Sequence, residues 1–62
     1  MHELIHYIIL DKGPIGPLCI AEEVRRCGYS DEHVPAIIKE LLWSETIEKA
    51  HNKGMPIYQV KL

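Results

Sequence analysis

The segment Ser30–Trp43, SDEHVPAIIKELLW, constrains this chain more than any other, because Val34, Ile37, Ile38, Leu41 and Leu42 recur at the spacing of one helix face. A helix with so continuous an apolar stripe must be covered by other elements. After Trp43-Ser44 the pattern changes. Thr46–Ala50 and Ile57–Leu62 approach a period of two, which predicts two strands with Ile47, Tyr58, Val60 and Leu62 turned inward. The loop between them is expected over His51–Pro56. Pro56 belongs on its loop side or at an unpaired edge position, since proline cannot donate to a ladder.

Upstream, Leu4, Ile5, Ile8 and Ile9 recur at helical intervals with Tyr7 beside them, so a first helix is expected over residues 2–11. Asp11-Lys12-Gly13-Pro14 should end it, with Gly13 in the left-handed conformation and Pro14 unable to continue. Ile15 then stands alone between breakers. Pro17 suits the first position of a second helix, where its missing N–H is not needed. That helix turns Ile20, Ala21, Val24 and Cys27 inward and Glu22, Glu23, Arg25 and Arg26 outward. In the turn that follows, Gly28 can take positive φ, Tyr29 is expected to plug the core and Ser30 to cap the third helix. Pro35, close behind, predicts that this helix starts late or distorted. The expected core is Ile5, Ile8, Ile20, Val24, Val34, Ile37, Ile38, Leu41, Ile47, Tyr58 and Val60.

A chain of 62 residues, 47% hydrophobic, supports one domain spanning 1–62. Chains this short bury only about 60% of their unfolded surface, and they often need a staple or a partner. A homodimer is therefore expected. The net charge of −2 supplies no general attraction to a polyanion, so any nucleic-acid site must be local. The chain has neither a signal-peptide pattern nor an apolar run of membrane-spanning length, and a cytoplasmic or nuclear location is expected. Cys19 and Cys27, eight residues apart on one helix, would lie about 12 Å from each other, too far for a disulfide. They read as reduced, small buried hydrophobes, with a metal or redox role as the alternative.

His2-Glu3-Leu4-Ile5-His6 matches the H-E-x-x-H spacing, in which two imidazoles share a helix face and the glutamate acts as general base. Catalytic zinc also needs a third protein ligand and a cleft, and a terminal helix of so small a domain offers little of either. The expectation is no metal site and no cofactor. Nucleophile triads and phosphate-binding glycine loops are missing from the sequence as well, so no enzyme is expected.

A helix, a glycine-containing turn and a second helix form a helix-turn-helix signature. Preceded by one helix and followed by a hairpin, it resembles the winged-helix class over nearly the whole chain. The resemblance implies an α+β fold, a three-helix bundle with a C-terminal β-hairpin wing, in which Ile15 forms a short first strand. It also implies a function, that of a small DNA-binding regulator of transcription or replication. The third helix would enter duplex DNA with Ser30, His33, Ala36 and Lys39, and the wing would contribute Lys49, His51, Asn52 and Lys53. Within the wing, Gly54-Met55-Pro56-Ile57-Tyr58 is similar to that of the Z-DNA-binding domains of RNA adenosine deaminases. Pro56 matches a proline of that motif and Tyr58 stands where it has tryptophan. The third helix departs from it, since Pro35 and Lys39 occupy the places of that family's essential Asn and Tyr.

An ideal helix puts Glu32, Ala36, Lys39, Glu40 and Trp43 opposite the core stripe, so the face offered to a groove mixes charges. Asp31 and Glu32 add negative charge where the helix dipole would favour a phosphate. The alternative function is therefore a winged-helix module for protein contact, using Ala36, Glu40 and Trp43. Trp43 either stands out as an anchor or folds back over the hairpin.

Overall fold

The computed structural model describes residues 1–62. Three helices are followed by a two-stranded antiparallel hairpin, an α+β arrangement compatible with a winged helix: α1 His2–Lys12, α2 Pro17–Arg26, α3 Val34–Trp43, β1 Ile47–Asn52 and β2 Met55–Val60.

Helix α1 buries Ile5, Ile8 and Ile9 and runs one residue beyond the expected end. Gly13 closes it in an extended conformation, φ −67° and ψ 158°, and not in the left-handed one. What demands glycine there is space. A Cβ on Gly13 would run into the carbonyl oxygen of Ile9 and lie 3.2 Å from that of Tyr58. Two residues on, Ile15 donates to the Tyr58 carbonyl at 3.0 Å and accepts from the Tyr58 N–H at 2.8 Å. It is a one-residue strand beside β2, as the winged-helix resemblance implied.

Pro17 opens α2, which buries Ile20 and Val24 completely. Cys19 and Cys27 are both exposed, contrary to the expectation that they fill the core. Cys19 precedes the inward stripe by one position, and α2 ends at Arg26, so Cys27 is its cap and no longer follows helical spacing. The Tyr29 N–H bonds the Val24 carbonyl at 3.2 Å and the Gly28 N–H bonds that of Arg25 at 2.9 Å. This is the Schellman closure, with Gly28 at φ +88°. Tyr29 is used through its backbone, and its ring stays 56% exposed instead of plugging the core.

Ser30 does not cap α3. Its Oγ accepts the Glu32 N–H at 3.2 Å inside the turn, and the helix starts only at Val34 with His33 as its cap residue. The late start follows from Pro35, which falls in the first turn, where a missing N–H breaks no helical bond. Val34, Ile37, Ile38 and Leu41 are buried, whereas Leu42 only borders the core. A second Schellman closure ends α3: Thr46 N–H bonds the Leu41 carbonyl at 3.0 Å and Glu45 N–H that of Leu42 at 3.1 Å. Here Glu45, at φ +61°, holds the position that glycine usually takes.

The hairpin corrects the expected loop over His51–Pro56. Asn52 pairs with Met55 and His51 with Pro56, leaving a turn of two residues, Lys53 and Gly54. Both have positive φ, 53° and 80°, as a type I′ turn requires. Pro56 is therefore neither in the loop nor unpaired, and the ladder tolerates it because of where its nitrogen points. Tyr58 directs its backbone bonds towards Ile15, so Pro56, two residues earlier, also turns its nitrogen away from β1 and costs the hairpin no bond. At the far end of β2, Val60 turns inward as expected and packs against the core while staying half-buried, whereas Leu62 is fully exposed, beyond the last backbone bond from the Lys61 N–H to the Thr46 carbonyl at 3.1 Å.

Twelve buried side chains, all apolar or aromatic, form one cluster that adds Ile9 and Ile15 to the expected set and leaves Val60 at its border. No polar side chain is buried. No helix is long and apolar enough to cross a membrane.

Candidate nucleic-acid interface

Helix α3 carries the first part of the candidate site. Its core stripe faces α1 and α2, which leaves Ala36, Lys39, Glu40 and Trp43 exposed, with His33 at the cap. Trp43 is 86% exposed and does not fold back over the hairpin. Ser30 is also exposed, in the turn before the helix.

Strand β1 carries the second part, divided between two faces. Side chains alternate along a strand, so Lys49 and His51 share the hairpin face of the buried Ile47 and Tyr58, whereas Asn52 points to the other face with Glu48. The expected wing residues are thus not all on one surface. Lys53 stands at the tip, in the turn. Glu48 accepts a bond from the Gln59 side chain at 2.7 Å across the hairpin.

The charges of the site are sorted by their partners. Of the seven Lys and Arg residues, Lys12 pairs with Glu23 at 3.3 Å, Arg25 with Asp31, Arg26 with Glu22 at 2.9 Å, and Lys61 with Glu45 at 3.2 Å. Lys39, Lys49 and Lys53 pair with no carboxylate of the chain, and all three are exposed. The acids near α3 are partly engaged. Asp31 is held by Arg25, and Glu40 by His2 from the start of α1, whereas Glu32 has no cationic partner. The negative charge before α3 is therefore less than the sequence alone implies.

His2 stands out in the sequence only for its H-E-x-x-H spacing, and its contact with Glu40 is missed there. It lies 38 positions from Glu40, and no local pattern signals their meeting. Together with Met1, His33, Ala36, Ile37 and Glu40 it lines an open pocket of about 310 Å³ between the start of α1 and the outer side of α3. The H-E-x-x-H glutamate has no part in this contact, and no group of three His, Cys, Asp or Glu side chains is placed to hold a metal ion.

No known protein family, curated protein or solved structure matches the chain.

Proposed function

We propose that the chain is a small DNA-binding protein of the winged-helix type, a regulator of transcription or replication that meets duplex DNA with α3 and the hairpin. The observation that carries this reading is the distribution of charge. Every lysine and arginine outside the two candidate elements is paired with a carboxylate, and the three unpaired lysines all belong to α3, β1 and the turn. Lys39, Lys49 and Lys53 would meet phosphates, with Ser30, His33, Ala36, His51 and Asn52 as the neighbouring contacts. A local site of this kind suits a protein whose net charge of −2 gives no long-range attraction.

The test is a fluorescence-anisotropy titration of a mixed-sequence duplex at several salt concentrations. Three phosphate contacts predict a log–log slope of about −2.7. Absence of binding at low salt, or an affinity indifferent to salt, would reject the reading.

A second reading, contact with protein through Ala36, Glu40 and Trp43, is favoured by one observation. A tryptophan 86% exposed at the end of a helix is the kind of side chain that anchors interfaces.

A further inference from the structure

Trp43 and the pocket beside Ala36 belong to the same helix face, one projecting and the other recessed. Seven residues of α-helix separate them, about 10.5 Å along the axis. A two-fold axis passing between Lys39 and Glu40, with a second α3 running antiparallel, sets residues equidistant from the axis against each other. Ala36 then opposes Trp43 twice, and Lys39 opposes Glu40 twice. We propose that this face takes a second copy of the chain, with Trp43 of each protomer seated in the pocket beside the partner's Ala36.

The chemistry of each element fits that occupant. The pocket, about 310 Å³, is walled by Met1, Ala36 and Ile37 and rimmed by His2, His33 and Glu40. It is some ten times the share of liquid volume of one water, about 30 Å³, which is room for an indole. Its rim offers carboxylate and imidazole groups for the indole N–H. Glu40 engages His2 through Oε2, and its Oε1 makes no bond within the chain. Lys39 has no partner of its own, so each protomer presents one unused cation and one unused carboxylate oxygen in complementary positions. An isologous contact must be self-complementary in this way. Two short helix stripes bury less than the roughly 800 Å² per partner of a standard interface, so the association is weak and reversible. It also covers Lys39, which makes the dimer and the DNA-bound state alternatives.

The proposal rests on the second reading for its surface and names the partner. Sedimentation velocity over a concentration series, with tryptophan emission recorded on the same samples, tests it. Trp43 is the only tryptophan, so the emission should shift to the blue as the dimer forms. Trp43→Ala, which removes an exposed side chain and should leave thermal unfolding unchanged, is expected to raise the midpoint concentration at least tenfold. Ala36→Leu, which fills the pocket, should do the same. Lys39→Glu alone should weaken the dimer, and the double exchange Lys39→Glu with Glu40→Lys should restore it.

A wild-type protein that stays monomeric to about 1 mM, the range of the weakest specific contacts, would overturn the proposal. So would a dimer indifferent to Trp43→Ala, or one the double exchange does not restore. Binding of a different protein through Trp43 would survive these failures, as would DNA binding measured at concentrations where the chain is monomeric.

Discussion

Ile15 and Tyr58, 43 positions apart, exchange both of their backbone hydrogen bonds, at 3.0 and 2.8 Å, and so join the helical half of the chain to the hairpin. Both side chains are buried in the common core. The pair sets the position of β2, and through it that of β1 with Lys49 and the turn with Lys53.

Removing the ring at this junction should be costly. Tyr58→Ala is expected to lose about 3–5 kcal/mol, as for other large aromatic truncations, against a total on the order of 5 kcal/mol for a domain of this size. Tyr58→Phe, which keeps the ring and the backbone pair, should unfold near the wild-type temperature. Chemical denaturation of the two variants decides the matter, and similar midpoints for both would remove Tyr58 from this role.

The end of α3 offers a gain. Glu45 holds a left-handed conformation at φ +61°, where glycine is free of the Cβ penalty, and its ion pair with Lys61 is largely solvated. Relief of a left-handed penalty of roughly 1–2 kcal/mol, less the roughly 0.4–1 kcal/mol that glycine adds to the entropy of the unfolded chain, makes Glu45→Gly stabilising by about 1 kcal/mol or less. A fall in melting temperature would show that the Glu45 side chain contributes more than its exposed position implies.

Much of this fold was legible in the sequence because periodicity reports burial directly. The stripe from Val34 to Leu41 and the break at Gly13-Pro14 each had one reading, whereas the strand at Ile15 was implied only by the winged-helix resemblance and its burial was not foreseen. The hairpin turn was not legible, since Lys53-Gly54 lacks the Asn-Gly or Asp-Gly signature and proline at position 56 argued for a loop. Tyr29 and Cys27 misled for a related reason. A Schellman closure takes its bonds from the backbone, so the apolar side chains there owe nothing to the core. Within the candidate site, the sequence supplied Lys39, Lys49 and Lys53 by position, but that they alone lack carboxylate partners depends on tertiary contacts. The His2–Glu40 contact depends on them in the same way.

A charge placed inside the stripe should be lethal to the fold. Val34 and Ile38 are 2% and 4% exposed, and neither has a polar neighbour buried with it. Val34→Asp or Ile38→Asp would bury an unpaired carboxylate at a cost of several kcal/mol. Circular dichroism at room temperature should show both variants unfolded, and a wild-type melting curve for either would contradict the core described above.

Metal should not matter to folding. His2 is engaged with Glu40, and no third ligand stands near the H-E-x-x-H pair. Chelation is expected to leave the far-ultraviolet spectrum and melting temperature unchanged. Stoichiometric zinc retained through dialysis, with structure lost when it is removed, would require a bound metal that contributes to folding directly.

The central claim is that DNA is held by the three unpaired lysines, and the salt dependence of single lysine variants tests it most directly. Lys39→Ala, Lys49→Ala and Lys53→Ala should each weaken binding to a mixed-sequence duplex and reduce the magnitude of the log–log salt slope by about 1. Lys12→Ala, which removes a cation already paired with Glu23 on the far elements, should leave both unchanged. Equal slopes for all four variants, or a loss with Lys12→Ala as large as with the others, would contradict the account.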